Sequence, residues 1–330
     1  MPETAVLELT EAGLSTTVQD FGRVGYFEMG IPTGGAMDLI SMATANVLVG
    51  NAPGTAALEA VYTLPRFALT APTTMAVTGG AVTVKVDGEE RPSWTTLELE
   101  PGQEVSFSVA KAGPRVYLAF SGGIDVPVVY GSRSTYLAGG LGGFQGRALA
   151  SGDRVPVGSS VAGLPRVRTV PEEYRLAARA RTDVRVVPGL HVRRLTTASY
   201  EAFFGEQWTL TPLGDRSGLR YSGPATQWTV PPGGNVFGAG SDPSNSTDAP
   251  YPLGSIQIPG GNEPILLHRD APTMGGYAMV GVTARADLDV VAQHMPGQRV
   301  RFVPTSRTEA LAAWDAQRRW FAGLQAALGV

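Results

Sequence analysis

The chain has 330 residues, no cysteine and a formal net charge of −3, with both signs scattered along its length. These features exclude disulfides, thiolate zinc sites and a cysteine nucleophile, and they argue against a nucleic-acid or anionic-membrane surface. No apolar run reaches the roughly 18 residues of a membrane helix, and the first residues lack signal-peptide features. We therefore expect a cytoplasmic protein of about two domains.

Short runs rich in Val, Thr, Leu and Phe, separated by glycine and proline, predict a mainly β fold. They cover residues 82–86, 96–99, 105–109, 116–120 and 184–187. Asp87-Gly88 predicts a hairpin turn, and Pro101-Gly102 and Pro296-Gly297 predict turns before strands. Short strands with frequent turns favour sandwiches or barrels over a parallel βαβ sheet.

Few helices are expected. Apolar spacing predicts one over residues 37–49, and residues 172–181 resemble a short polar helix. A C-terminal helix is predicted from Ser306 and Glu309, which have capping-box spacing. The stretch 158–181 is typical of a linker with a surface helix. It divides the chain into domains 1–165 and 166–330.

Several common sites are not supported by the sequence. His191, His268 and His294 are far apart, so no metal site is expected. No G-x-S-x-G elbow occurs, and the glycine-rich residues 139–146 lack both G-x-G-x-x-G and GK[ST] spacing. Neither lysine, Lys85 nor Lys111, has the flanking methionines usual for biotin attachment, so we expect no biotin on this chain.

Three clusters of glycine and polar residues are candidates for binding. In the first, a glycine pair opens a helix, so backbone N–H groups and the helix dipole are suited to an anion or a carboxylate. A loop held by an Asp–Arg pair, with the aspartate of the first turn stabilising the helix, is the structural alternative. Its candidate residues are Arg23, Tyr26, Gly34, Gly35 and Asp38.

The second cluster follows the apolar run 116–120. Its arginines offer fork-shaped donors for a carboxylate or phosphate, although structural turns explain the composition almost as well. The candidate residues are Ser121, Gly122, Gly123, Arg133 and Arg147.

The third cluster follows an apolar strand and suits substrate binding better than packing. A polar loop at residues 215–218 is a further candidate for this site. The candidate residues are Gln257, Asp270, Thr273, Gly275, Gly276 and Tyr277. For all three clusters, catalytic roles stay unassigned.

The clusters together carry a family resemblance. The strings TVQDFGRVGYFEMGIPTGGAMD, SGGIDVPVVYGSRSTYLAGGLGGFQGRALASGD, GSIQIPGG, PILLHRDAPTMGGY and DLDVVAQHMPGQRVRF follow in order along nearly the whole chain. They resemble the biotin-dependent carboxyltransferase family, which includes allophanate hydrolase subunit 2, the C-type subunit of 5-oxoprolinase and a kinase-inhibitor antagonist. The resemblance implies two cyclophilin-like β-barrel domains.

The resemblance also implies a function. The expected one is a subunit, inactive alone, of an ATP-dependent enzyme that opens 5-oxoproline to glutamate. Its implied partners are a subunit-1-type, kinase-inhibitor-like protein and a LamB/YcsF-type third component. The implied cofactor is ATP accompanied by Mg, and the implied substrate is a small amide. Neither nucleic acid nor a membrane is expected as a partner.

Two other functions remain open at the level of sequence. One is the carboxyltransferase subunit of a urea carboxylase or allophanate hydrolase system, and the other is a non-catalytic regulator that binds a kinase inhibitor. After Gly276-Tyr277 this chain has Ala278-Met279-Val280, where relatives often have proline and a basic residue. This departure weakens the biotin-dependent interpretation more than the family resemblance.

Overall fold

The computed structural model of the protein describes residues 4–159, 167–175, 181–230, 233–235 and 237–330. Contacts divide the chain into two units, one of residues 1–24, 34–179 and 320–330 and one of residues 25–33 and 180–319. The expected 158–181 linker and 172–181 helix fall partly outside the described residues. A short 3-10 helix occupies Glu172–Tyr174. The 165/166 boundary also lies outside the described residues and stays a prediction.

The described part of the first unit contains two antiparallel sheets. One has the order β11-β1-β4-β9-β6-β7 and the other the order β2-β3-β10-β5-β8. The strands are β1 Val6–Glu11, β2 Thr16–Gln19, β3 Ala57–Val61, β4 Arg66–Leu69, β5 Thr73–Gly79, β6 Val84–Val86, β7 Glu89–Arg91, β8 Thr96–Leu99, β9 Glu104–Phe107, β10 Arg115–Phe120 and β11 Arg154–Pro156.

The two sheets of this unit share one apolar core. Leu7 and Phe67 from the first sheet and Leu118 and Phe120 from the second belong to the same buried cluster. Side chains alternate across a strand, so β10 turns Tyr117 to the opposite face, where it belongs to a second cluster with Met42. Every residue of β10 is buried, because both of its faces are covered.

Helix α1 (Leu39–Leu48) covers that opposite face. It is shorter than the predicted 37–49, because Asp38 has the extended backbone of an N-cap (φ −107°, ψ 92°) and Val49 is the C-cap. The prediction was therefore right about the helix and wrong by one or two residues at each end, where caps rather than apolar spacing set the limits.

The described part of the second unit contains a closed barrel of order β12-β19-β16-β17-β14-β13-β20 and a separate β15-β18 ribbon. The strands are β12 Asp183–Pro188, β13 Trp208–Gly214, β14 Gly218–Ser222, β15 Asn245–Pro250, β16 Ser255–Gln257, β17 Ile265–Leu267, β18 Met274–Tyr277, β19 Met279–Thr283 and β20 Arg299–Pro304. Two α-helices lie wholly within the described part of this unit, α2 Thr197–Gly205 and α3 Arg285–Val291.

Aromatic side chains fill the barrel. Phe203 stacks on Phe302 with ring centroids 5.0 Å apart, and Tyr221 meets Phe302 edge-on at 5.4 Å. Trp208 is fully buried beside them. Since inward and outward residues alternate along each strand, the neighbours of these core residues lie on the outer face of the barrel.

Helix α4 (Arg307–Ala327) ends the chain, as predicted. Ser306 and Glu309 form the expected capping box, in which the Ser306 N–H donates to Glu309 at 2.8 Å and the Glu309 N–H donates to Ser306 Oγ at 3.2 Å. In the described ranges no helix is both long and apolar enough to cross a bilayer. The predicted mainly β fold with a C-terminal helix is confirmed.

Candidate functional site

Asp20 connects two of the predicted clusters. One carboxylate oxygen accepts hydrogen bonds from the Gly22 N–H and the Ser132 hydroxyl, both at 2.7 Å. The other accepts from the Arg133 N–H at 2.6 Å. The loop after β2 and the loop around Arg133 therefore meet, although Asp20 and Arg133 are 113 residues apart in sequence. Sequence reasoning favoured the arginines here and did not identify this role of the aspartate.

Arg23 lies inside these loops. Its side chain is 1% exposed, and its Nη2 donates to the Ser134 carbonyl at 2.5 Å. A Cβ on Gly142 would lie 2.7 Å from this guanidinium, so the loop requires glycine there. Arg23 is thus enclosed by backbone, and it reaches a phosphoryl group only if the loop opens.

The glycine pair before α1, Gly34 and Gly35, allows the backbone to approach the Asp20 loop closely. A Cβ on Gly35 would lie 2.8 Å from the Asp20 carbonyl, and Gly35 has a φ of 83°. Gly34 is also buried with a positive φ, of 61°. Tyr26 belongs to the second unit and is partly exposed before the 3-10 helix Phe27–Met29.

The start of α1 binds the chain's own carboxylates. The Met37 N–H donates to Glu59 at 2.8 Å, and the Asp38 N–H donates to the Tyr117 hydroxyl, also at 2.8 Å. Tyr117 in turn donates to Glu59 at 2.7 Å, and Asp38 caps the Ser41 N–H at 2.9 Å. Burial, and then Glu59, raises the pKa of Tyr117 well above its usual value. These contacts match the structural alternative for Asp38, in which its carboxylate stabilises the first turn of the helix. The Met37 and Asp38 N–H groups are already engaged by side chains of the chain itself.

The glycines after β10 allow close backbone approach. A Cβ on Gly122 would lie 2.0 Å from the Gly158 carbonyl, and one on Gly123 would lie 2.3 Å from the Thr55 side chain. The Gly122 N–H donates to Asn51 at 2.9 Å, and the Ser121 N–H donates to the Thr74 carbonyl at 2.8 Å. These contacts account for the glycines by packing alone.

Arg133 and Arg147 both have acidic partners. Arg147 donates to both oxygens of Asp153, at 2.7 and 2.8 Å, and these hydrogen bonds lower the pKa of Asp153. Arg133 donates to the Val126 carbonyl at 2.7 Å and to Asp125 at 3.1 Å. The two side chains are about equally exposed, at 39% and 40%. Arg133 has a single, longer hydrogen bond to its acidic partner, so of the two it keeps the looser attachment.

In the second unit, Asp270 is paired with Arg216. The guanidinium donates twice, at 2.8 and 3.0 Å, to a carboxylate whose side chain is 5% exposed. Sequence reasoning named Asp270 as a binding residue and placed Arg216 in a nearby polar loop without joining the two.

Gly275, Gly276 and Tyr277 lie on the β15-β18 ribbon. A Cβ on Gly275 would lie 2.4 Å from the Tyr251 ring, and the Tyr251 hydroxyl donates to the Tyr277 carbonyl and accepts from its N–H, at 2.7 and 2.6 Å. Gly276 and Tyr277 line a cleft of about 640 Å³ with Ser246 and Asp248. Thr273 is buried at the entry to β18, where its carbonyl accepts from the Tyr251 N–H.

Gln257 faces a different recess. It lines a groove of about 550 Å³ on the barrel, together with Asp215, Ser217, Arg220 and Ile265. The residue is 9% exposed, and its Oε1 is buried with no hydrogen-bond partner among the described residues. Gln257 therefore lines this groove with a buried acceptor oxygen that has no partner among the described residues.

The histidines are bonded to backbone. His191 Nδ1 accepts from the Met279 N–H at 3.1 Å, and His268 Nδ1 accepts from the Arg269 N–H at 3.0 Å. His294 Nε2 lies 3.1 Å from the Arg181 carbonyl. Burial lowers the pKa of both His191 and His294. Over the ranges that the structure describes, no three His, Asp or Glu side chains form a group suited to a metal ion.

Curated relatives share this sequence over most of its length. The C-type subunit of 5-oxoprolinase from Escherichia coli (strain K12) is 35% identical over 320 residues, which cover 96% of this chain and 96% of that protein. Urea amidolyase of Saccharomyces cerevisiae is 35% identical over 325 residues, which cover 96% of this chain. The chain spans 17% of the length of that larger protein.

The fold is shared as well. The crystal structure of the K. lactis urea amidolyase matches 98% of this chain and 20% of that chain, with 32% identity and a TM-score of 0.90. A family model described as carboxyltransferase domain, subdomain A and B, matches residues 29–304. The chain therefore belongs to the carboxyltransferase-domain family.

Proposed function

We propose that this chain is the C-type subunit of an ATP-dependent 5-oxoprolinase. The observation that carries the proposal is the match to the corresponding E. coli subunit, which extends over 96% of both chains. The matched part of the yeast urea amidolyase, by contrast, is 17% of a much longer protein. The agreement in length therefore favours the first relative over the second.

The proposed reaction converts 5-oxoproline, ATP and two water molecules into glutamate, ADP and phosphate. A lactam carbonyl resists attack by water. Phosphoryl transfer from ATP to the lactam oxygen makes the ring carbon a better electrophile. One water then adds to this carbon and the C–N bond breaks, so that the ring nitrogen leaves as the amine and a γ-glutamyl phosphate remains. A second water cleaves this acyl phosphate to glutamate and phosphate. Such a site needs donors preorganised for charge on oxygen. This chain offers two separate candidates for such donors, the partly exposed Arg133 in the first unit and the cleft of Gly276 and Tyr277 in the second.

The chain is proposed to act only in a complex. Its partners are a subunit-1-type protein and a LamB/YcsF-type third component, in the cytoplasm, with Mg accompanying ATP. We assign Mg to the nucleotide phosphates, because enzymes usually hold Mg through substrate phosphates with only one or two protein carboxylates. The two domains of the chain are proposed to be cyclophilin-like and to divide at residue 165.

The test is product formation by the three reconstituted components. With 5-oxoproline and ATP we expect glutamate, and we expect none when any component is left out. Urea with preformed carboxybiotin as the carboxyl donor is the second arm, because the 35% identity to urea amidolyase favours that alternative. Carboxylated urea in place of glutamate would contradict the proposal, and so would a well-formed complex that is inert with both substrates.

A further inference from the structure

Three residues form a row across neighbouring strands on the outer face of the barrel. In the strand register Arg220 of β14 lies opposite Ile265 of β17, and Ile265 lies opposite Gln257 of β16. Their chain neighbours Leu219, Leu266 and Ile256 are buried in the barrel core, so the row itself faces outward.

The row forms the floor of the 550 Å³ groove. Adjacent strands lie roughly 4.8 Å apart, so Arg220 and Gln257 are separated at the backbone by about 10 Å. Ile265 between them provides an apolar surface. Leu213 and Pro272 add apolar walls. A small ring fits on this floor between two polar ends.

The polar end at Gln257 lacks a hydrogen-bond partner. Its buried Oε1 has none among the described residues, although buried polar side chains in folded proteins are nearly always satisfied. A primary carboxamide presents an acceptor oxygen and an NH₂ donor side by side. A cyclic amide holds its N–H and C=O on one edge in the cis arrangement, so the two groups pair through two hydrogen bonds.

The other polar end is a cation. Arg220 is exposed, and it lines the groove. Its guanidinium matches a carboxylate through two parallel hydrogen bonds. Asp215 also lines the groove, but one of its oxygens accepts from the N–H groups of Ser217 and Gly218 at 2.7 and 3.2 Å. The carboxylate of Asp215 therefore closes the turn beside the groove.

We infer that this groove binds a small cyclic amide that carries a carboxylate. The amide edge pairs with Gln257, the ring lies on Ile265, and the carboxylate pairs with Arg220. This inference rests on the proposed function, since 5-oxoproline is such a molecule, and it assigns the substrate-binding groove to the outer face of the barrel in this chain.

The test is equilibrium binding of 5-oxoproline to the assembled complex without ATP. We expect 5-oxoproline to bind the native complex. We expect Gln257→Met and Arg220→Met each to weaken binding by about tenfold or more, in line with the loss of one good hydrogen-bonded contact. Arg299→Met, at an exposed position on β20 of the same barrel, is the matched control and leaves the affinity unchanged.

Two analogues of 5-oxoproline distinguish the amide contact at Gln257 from the carboxylate contact at Arg220. 2-Pyrrolidone keeps the amide and lacks the carboxylate, so its weaker binding is insensitive to Arg220→Met. Proline keeps the carboxylate and lacks the lactam carbonyl, and we expect it to bind at least tenfold more weakly than 5-oxoproline. Proline binding as tightly as 5-oxoproline would overturn the inference, and so would no detectable binding of 5-oxoproline. Because Arg220 is exposed, its variant folds even if Gln257→Met does not.

Different results would contradict the assignment of the groove and the proposed function. If the complex forms glutamate but both variants keep the native KM for 5-oxoproline, the groove assignment is wrong and the function stands. If the complex never turns over 5-oxoproline but another carboxylated lactam binds in a Gln257- and Arg220-dependent way, the groove stands and the function is wrong.

Discussion

Arg216 and Asp270 form a two-hydrogen-bond ion pair whose side chains are only 9% and 5% exposed. Removing one member of such a buried pair leaves the other charge without compensation. We expect Asp270→Asn to lower the free energy of unfolding by about 3 kcal/mol or more, measured by urea denaturation.

The matched control is an exposed pair in the same unit. Arg301 and Asp183 lie 2.8 Å apart with about half of each side chain in solvent. We expect Asp183→Asn to cost less than about 1 kcal/mol. Equal losses in the two variants would mean that the Arg216–Asp270 pair does not stabilise the fold in the way that its burial implies.

The Tyr117 hydroxyl is predicted to stabilise the start of α1. It accepts from the Asp38 N–H and donates to Glu59, so Tyr117→Phe leaves both groups buried and short of a partner. We expect a loss of about 1–3 kcal/mol in the free energy of unfolding. Tyr221→Phe is the control, because the Tyr221 hydroxyl is equally buried and has no hydrogen-bond partner among the described residues. Tyr221→Phe should be neutral or stabilising, and a larger loss there than at Tyr117 would refute this interpretation.

His294 is predicted to make stability fall in mild acid. Burial lowers its pKa in the folded protein below the unfolded value of about 6.5. As the pH drops below 6.5, the unfolded chain therefore binds more protons and stability decreases. The carboxyl groups with lowered pKa values, Asp153, Asp242 and Glu309, lose their contributions only at lower pH.

Denaturation midpoints between pH 8 and pH 5 measure this effect. The native protein should lose stability below about pH 6.5, and His294→Gln should show a flatter profile over the same interval. Identical profiles would show that another group titrates there. Above about pH 7.5 the two profiles should run parallel, since the histidine is then neutral in both the folded and unfolded states.

Arg133 is predicted to act on the phosphoryl group. In the reconstituted complex, Arg133→Ala should lower 5-oxoproline-dependent ADP formation by about 100-fold, as expected when one donor to a developing charge is removed. Arg91→Ala is the control, because Arg91 is similarly exposed and pairs with Glu89 in a hairpin. Full activity of Arg133→Ala would rule out this role for Arg133.

The local features of the fold could be predicted from the sequence. Asp87-Gly88 joins β6 to β7 with φ values of 51° and 81°, the left-handed conformation that this dipeptide favours. The Ser306–Glu309 cap is equally local. In both cases the residues that determine the geometry lie within a few positions of each other, so a short stretch of sequence contains the information.

The candidate site depends on contacts that are distant in sequence. Asp20 meets the Arg133 N–H across 113 residues, and Arg216 meets Asp270 across 54. Neither pairing leaves a local pattern. Glu59 lies in the buried strand β3 and gives no periodic signal for its role at α1. The row of Arg220, Ile265 and Gln257 also requires the strand register, which the sequence alone does not supply.

The most direct test of the proposed function is 5-oxoproline-stimulated ATP hydrolysis, with this chain as the variable. The partner and the third component are held constant, and ADP release is measured with and without the chain, in the presence of 5-oxoproline or of urea. We predict ADP release only when the chain and 5-oxoproline are both present. Equal stimulation without the chain, or stimulation by urea alone, would contradict the account.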